Sequence, residues 1–336
     1  MEADAAGGSL PAAPRSTGSS GGGLTSRPWW PAAKRALGIL FLCGVLALVV
    51  HHARAVDWPA VLAALRAYPA RTLLGAAGLA AASFAVYSTY DLVGRHATGH
   101  ALAARQVMGV AFVSYAFNLN FGSLVGGVAL RYRLYARLGL DVAVTTRVLV
   151  LSLLTNWLGY LWVGGLVFLL APMDLPPDWK LGSEGLRGLG AAMLVVAVGY
   201  VGMCMFARRR EWQLRGHTVG LPSGRVALLQ LGLSSVNWML IAGVLWTLLQ
   251  HRLDYPSVLG VLLVAAVAGV IAHVPAGLGV LEGVFIVLLS HRVAQPELIA
   301  ALLAYRAIYY LVPLLPAIAL FLLAVARERA PPAALR

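Results

Sequence analysis

Long apolar runs, separated by short charged segments, constrain this chain more than any other feature of its sequence. The first runs from Ala36 to Val50, and others follow at about 72–93, 106–124, 144–170, 188–206, 226–250, 257–272, 280–290 and 298–325. Several reach the length of about 20 residues that a helix needs to cross the hydrocarbon core of a bilayer. In water these runs would have too little polar surface to hide behind. Of the 336 residues, 60% are hydrophobic and 12% charged, whereas about a quarter of an ordinary soluble domain is charged. The sequence therefore predicts an all-α fold: a polytopic helical membrane protein with about six to eight transmembrane helices.

The formal net charge of +13 raises the question of nucleic acid. The charge lies between apolar runs and at the two ends, with no basic stripe interleaved with exposed aromatics, so no nucleic-acid partner is expected. The positive-inside bias and attraction to anionic headgroups account for it. On that rule Arg208, Arg209, Arg210 and Arg215 mark a cytoplasmic loop, and Arg327 and Arg329 place the C-terminus on the same side. Loop 171–186, with Asp174, Asp178 and Glu184 against Lys180, fits the outside. Arg54, Arg66 and Arg71 are discordant in the first external loop, where Trp58, Leu62, Leu65 and Arg66 recur at helical spacing and suggest an interfacial helix.

Residues 1–33 are rich in Gly, Ala, Ser and Pro and read as a disordered cytoplasmic tail. The transmembrane domain then covers 34–326, and 327–336 form a short cytoplasmic tail. The run after Lys34 and Arg35 could instead be a signal peptide cleaved near Ala53-Arg54-Ala55. The long leading segment and the many later spans favour a retained helix. Cys43 and Cys204 sit in different apolar runs and read as buried small hydrophobes, neither a disulfide nor a metal pair.

The 106–124 stretch and the 257–290 region are interrupted by Gly, Asn or Pro, in AsnLeuAsnPheGlySerLeuValGlyGly at 118–127 and HisValProAlaGlyLeuGlyVal at 273–280. Irregular backbone at membrane depth is tolerated where it is buried in protein or lines a cavity. We therefore read two Gly-rich broken, re-entrant hairpins, at about 106–137 from the cytoplasm and at 257–291 from outside. Their opposite entry makes an inverted repeat, an arrangement that places transporter substrate sites between the repeats.

Ionisable and polar groups at membrane depth gather at these breaks. Asn118, Asn120, Gly126 and Gly127 precede Arg131 and Arg133; His273, Pro275, Gly277, Gly279 and Glu282 precede Arg306. An arginine fork suits a lipid phosphate. Glu282, in apolar surroundings, needs a partner or a proton, and Arg306 is the evident partner, in either a structural clamp or a transport path. Asp91, Arg95, His96 and His100 read as a solvated loop, and Tyr305, Tyr309 and Tyr310 as interface or packing aromatics. No Walker A sequence, GlyXaaSerXaaGly elbow or HisGluXaaXaaHis pair occurs, so neither cofactor, metal nor catalytic residue is expected.

The segment 118–139, the stretch ProAlaGlyLeuGlyValLeuGluGly at 275–283 and AlaTyrArgAlaIleTyrTyrLeuValProLeuLeuPro at 304–316 resemble the signatures of one family. It is the lysylphosphatidylglycerol synthase transmembrane family, the flippase-like region of the multiple peptide resistance proteins and their stand-alone relatives. The resemblance covers about 36–326 and implies a multi-pass bacterial inner-membrane protein. In its best-understood members the family is associated with moving aminoacylated phospholipid between leaflets. Matching positions imply roles for Asn118, Gly126, Arg131, Pro275, Gly277, Gly279, Glu282 and Arg306. Ala276 and Leu281 depart from the pattern, which often has Gly and Arg there, so a charge beside Glu282 is missing. No transferase domain follows the last span, so the chain is not expected to attach lysine itself. The expected partners are membrane lipids, anionic or aminoacylated. A homo-oligomer and a separate lipid-modifying enzyme stay open, as does a membrane scaffold that moves no lipid.

Overall fold

The computed structural model of the protein describes residues 58–171, 182–208, 211–214, 217–272, 274 and 277–329. The expected leading tail, the run Ala36 to Val50, Cys43, Arg54, Asp174, Asp178, Lys180, Arg209, Arg210, Arg215, His273, Pro275 and Ala276 lie outside the described residues.

A short helix, α1 (Trp58–Arg66), stands where the interfacial helix is expected. It buries Val61 and leaves Trp58 and Leu62 exposed, as an amphipathic surface helix should. Two consecutive helices, α2 (Ala70–Ser88) and α3 (Tyr90–Thr98), join through Thr89, whose backbone is itself helical, and make one 29-residue span. It stops at Gly99, which takes a left-handed φ of 68°. The first hairpin follows: α4 (Ala104–Phe121) runs inward, a π-helical turn (Ser123–Ala129) reverses it, and α5 (Leu130–Arg137) returns. Then come the spans α6 (Val142–Leu170) and α7 (Ser183–Phe206). A small antiparallel ribbon, β1 (Glu211–Leu214) with β2 (His217–Gly220), links α7 to α8 (Gly224–Leu248), whose N-cap Ser223 accepts from the Val226 N–H. The second hairpin is α9 (Tyr255–Ala272) and α10 (Val280–Leu289). The chain closes with α11 (Gln295–Tyr305), a π-helical segment (Arg306–Leu311) and α12 (Val312–Arg329), which form one continuous span.

Six of the described helices are long and apolar enough to cross a membrane. One of them, α9, is the first limb of the second hairpin, because its partner α10 doubles back on it. Side-chain contacts fix which ends share a surface. Gly94, near the end of α3, has Val148, near the start of α6, where a Cβ would sit. The first hairpin therefore enters and leaves through one face, called here the near face. At the opposite, far face the Tyr68 hydroxyl, just before α2, donates to the Leu248 carbonyl at the end of α8 (2.6 Å). Burial there pushes the Tyr68 phenol up to about 12. Also at the far face, Arg252 pairs with Glu297, and Arg292 with Asp254 at 3.2 Å, holding both ends of the second hairpin together. Desolvation pushes the Asp254 carboxyl up, but hydrogen bonds from Ser257 and Arg292 outweigh it and hold the group below its ordinary value.

The two halves thus repeat span, hairpin, span with opposite sense: α2–α3, first hairpin, α6, then α8, second hairpin, α11–α12. The odd span α7 connects them, which is what inverts the second half. At the centre α2 and α6 both pack on α8.

Candidate functional site

Glycine shapes each hairpin tip, by lack of space at the first and by backbone conformation at the second. At the first tip Gly126 lies so close to the Phe117 and Asn118 backbone that a Cβ would overlap both. That contact presses the π-helical turn onto α4. Asn120 ties the same turn region to the last span, its amide donating to the carbonyls of Ala116 (2.8 Å) and Tyr310 (3.1 Å). At the second tip Gly277 and Gly279 take positive φ, 57° and 78°. The left-handed Gly279 starts α10, and the Glu282 carboxylate reaches back to its N–H at 3.0 Å.

Glu282 and Arg306 meet as the sequence suggests. Nε donates to one carboxylate oxygen at 2.8 Å and an Nη to the other at 3.2 Å, the bidentate geometry that suits arginine. The same Nη also donates to the Gly277 carbonyl at 2.8 Å, and the guanidinium lies 4.7 Å from the Tyr310 ring centroid. One arginine on the last span therefore closes the tip of the second hairpin through side chain and backbone together.

Arg131, expected to suit a lipid phosphate, is paired with a carboxylate in the core. It is 2% exposed, and its Nε lies 3.3 Å from Asp91, which is 0% exposed. The Tyr135 hydroxyl donates to the same Asp91 oxygen at 2.8 Å. Asp91 is therefore no part of a solvated loop. The span α2–α3 continues past it, and the aligned positions Ser83, Tyr87 and Asp91 all turn into the core. Arg133 and Arg137 lie further out on α5, each 5.9 Å from the Phe321 ring centroid on α12.

Of the two readings open for the tyrosines of the last span, interface or packing, Tyr305 and Tyr309 take the second. Tyr305 and Tyr309 are buried and stacked at 5.3 Å. The Tyr309 hydroxyl contacts Ser83 at 2.7 Å and Tyr115 at 3.0 Å, and Ser83 donates to Asn237 at 2.7 Å. Tyr115 in turn stacks on Tyr87 at 3.6 Å. Residues from α2, α4, α8 and the last span thereby share one polar and aromatic core, which links the two halves. Sequence reading missed Asp91, Ser83, Tyr87, Tyr115 and Asn237. For the α2–α3 residues the missed signal was a polar stripe at positions 83, 87 and 91, spaced by four.

Beside the first hairpin is an apolar groove of about 490 Å³. Ala77, Ala81 and Ala85 of α2, Met108, Gly109 and Phe112 of α4, and Ile308, Pro313 and Leu320 of the last span line it. Small residues on α2 and Gly109 leave the space, and Pro316, inside α12, lies along its wall. Ala77, Ala81 and Ala85 are exposed along the middle of α2, so the groove opens to the side of the bundle. Gly127 and Asn118 pack on each other at the first tip. His273 and Pro275 lie outside the described residues. Among the described residues no cluster of three His, Cys, Asp or Glu side chains is positioned to hold a metal ion.

Six apolar helices, two re-entrant hairpins of opposite sense and an arginine–carboxylate pair at each hairpin, buried at the first and partly open at the second, define a class: a multi-pass membrane protein of the broken-hairpin, inverted-repeat kind. The family model described as the lysylphosphatidylglycerol synthase TM region matches residues 35–317, and the chain belongs to that family. It is 46% identical over 299 residues to the inner membrane protein YbhN of Escherichia coli, covering 89% of this chain and 94% of that one. It is 33% identical over 291 residues to the Synechocystis protein slr0712, covering 84% and 88%. A shorter match, 32% over 91 residues, links it to the phosphatidylglycerol lysyltransferase of Staphylococcus haemolyticus, with 26% of this chain and 11% of that enzyme covered.

Proposed function

We propose that the protein is a phospholipid translocase of the inner membrane, not an enzyme, moving a lipid with an anionic or aminoacylated headgroup between leaflets. The observation that carries this reading is the lateral groove between α2, α4 and the last span. It is apolar where an acyl chain would lie, and the hairpin limb that forms one wall continues into α5, which carries Arg131, Arg133 and Arg137. An acyl chain in the groove and a phosphate at the arginines fit one amphipathic molecule. The names of two relatives, an inner membrane protein and a phosphatidylglycerol lysyltransferase, support the location and the lipid class. Arg95, Arg105, Arg137, Arg147, Arg208 and Arg225 lie at near-face ends of helices, against Arg66, Arg71, Arg187, Arg252 and Arg292 at far-face ends, the last three paired with acids; this bias supports a cytoplasmic near face and C-terminus. The N-terminus is assigned to the same side by the extra span expected at Ala36 to Val50.

A second reading has its own support. Glu282 is fully engaged by Arg306 and by the Gly279 N–H, the arrangement expected of a clamp. A protein held in this way would serve as a scaffold for a separate lipid- or glycan-modifying enzyme.

Leaflet-resolved assays in proteoliposomes separate the two. Nothing lies within 4 Å of a Cβ built at Gly109 or at Gly199, so either accepts a side chain without a clash. Gly109→Leu fills the groove; Gly199→Leu adds the same bulk on α7. A translocase loses lipid movement only with the first. Absence of movement by the folded wild type would favour the scaffold.

A further inference from the structure

We propose that Asp91 and Arg131 form a proton-exchange site, in which an anionic lipid phosphate replaces the carboxylate at Arg131 as Asp91 takes up a proton. The identity of the anion as a lipid headgroup rests on the translocase reading.

The geometry around Asp91 is unbalanced. Its Oδ2 receives both Tyr135 and the charge of Arg131, while Oδ1 is buried with no hydrogen-bond partner. A buried carboxylate oxygen left unpaired is costly and uncommon, and a proton placed there removes both the charge and the unmet acceptor. The pair itself is also loose: the Arg131 Nε approaches Asp91 at 3.3 Å without hydrogen-bond geometry, and the guanidinium's other partner is the Tyr87 side chain. At the second hairpin, by contrast, Arg306 is locked by a bidentate pair and a backbone carbonyl. A switch belongs at the looser pair.

The exchange conserves charge. Before it, carboxylate and guanidinium sum to zero; after it, a neutral carboxylic acid stands beside a guanidinium and a phosphate monoanion. No bond other than the O–H on Asp91 forms, and the guanidinium keeps its protons. A planar arginine fork accepts phosphate oxygens as readily as carboxylate ones.

The site is also within reach. Asp91 lies seven residues before Thr98, the end of α3, which is about 10 Å of helix. Arg131 lies six residues before Arg137, and Arg133 and Arg137 stand further out along the same helix, beside Phe321. A phosphate arriving at the near face would meet these first. Immediately before α5 the backbone is π-helical, a form found frequently at functional sites.

The groups around Asp91 come from every neighbouring element. From α5 there are Arg131 and Tyr135; from α2, Tyr87; from α4, Tyr115 behind it; and from α6, Ser152 beside Tyr87. On α8, Ser234 and Asn237 flank Tyr90. His100 stands 6.5 Å from the Tyr135 ring, and Arg95 is engaged by the Leu102 carbonyl at 2.7 Å. Asp91 is the acid in this set, and Arg131 the cation in contact with it.

The test is proton uptake by purified protein in weakly buffered detergent, read with a pH indicator on adding short-chain phosphatidylglycerol, with inorganic phosphate as the comparison. Wild type should take up close to one proton per bound lipid. Asp91→Asn should bind the lipid about tenfold tighter at neutral pH and take up none. The charge-neutral pair Asp91→Asn with Arg131→Gln, which leaves no lone buried charge, keeps the test open if the single variant does not fold, and should also take up none. Uptake by that double variant, or no uptake by wild type when lipid binds, overturns the exchange site. Equal uptake with inorganic phosphate overturns its assignment to lipid. Protein that takes up protons with lipid yet moves none in proteoliposomes would sink the translocase reading and leave this one standing.

Discussion

The two hairpins solve the same problem in opposite ways. Each has broken backbone at its tip and an arginine at or beside a π-helical segment, its own Arg131 at the first and Arg306 of the last span at the second, and each arginine faces a carboxylate. At the second hairpin the pair is partly open, 12% exposed at Arg306 and 24% at Glu282, and every contact reinforces the tip. At the first the pair is sealed, yet its bonds are fewer and one carboxylate oxygen is unpaired. A strong pair near the surface looks like a clamp, whereas a weak pair in the core looks like a group held ready to exchange partners. The groove lies against the first hairpin. Exposure and strength therefore run opposite to what a purely structural role for both pairs would produce.

The comparison can be broken by removing one partner at a time. Asp91→Ala strands Arg131 in the core and should cost about 3–5 kcal/mol, read as thermal stability in detergent. Added phosphatidylglycerol should restore much of that loss if the freed guanidinium accepts phosphate. Glu282→Gln removes a charged acceptor from a partly open pair and should cost about 1–3 kcal/mol, with no rescue by lipid. Equal rescue of both variants would erase the distinction. Gly279→Ala forces a side chain into a left-handed residue at the start of α10 and should cost about 1–2 kcal/mol.

A pH effect sharpens the first hairpin further. Burial, and then the charge of Arg95, hold the His100 imidazole below its ordinary 6.5. The folded state thus binds a proton there less readily than the unfolded chain. Its contribution is complete above the ordinary range and declines as pH falls below 6.5 toward the lowered value. A His100→Gln variant should lose that part of the acid destabilisation as pH falls below about 6.5. The smallest effect belongs to the far face. Glu297→Gln, in an exposed pair with Arg252, should change stability by about 0–1 kcal/mol, and less at high salt.

Much of this was legible before the structure. Run lengths fixed the all-α membrane fold, and charge placement fixed the opposite entry of the hairpins. The scarcity of partners for Glu282 pointed to Arg306. Asp91 was not legible by the same route, because it falls only two residues before the apolar run ends at about 93, and an acid so near the end of a span was assigned to water. Hydropathy averages hide one buried acid whose arginine lies 40 residues later and only a fold can bring near. The groove was hidden for a related reason. Ala81, Gly109 and Ile308 are unremarkable singly and become a wall only when α2, α4 and the last span converge.

The central claim is that lipid occupies the groove beside the first hairpin. The most direct test uses phosphatidylglycerol with a photoreactive acyl chain, activated in membranes holding the full chain, with labelled peptides mapped. The account predicts label concentrated on Met108 and Phe112 of α4 and on the Ile308 to Leu320 stretch, and lost in Gly109→Leu. Label spread evenly over lipid-exposed helices such as α7, and unchanged by that substitution, would contradict it.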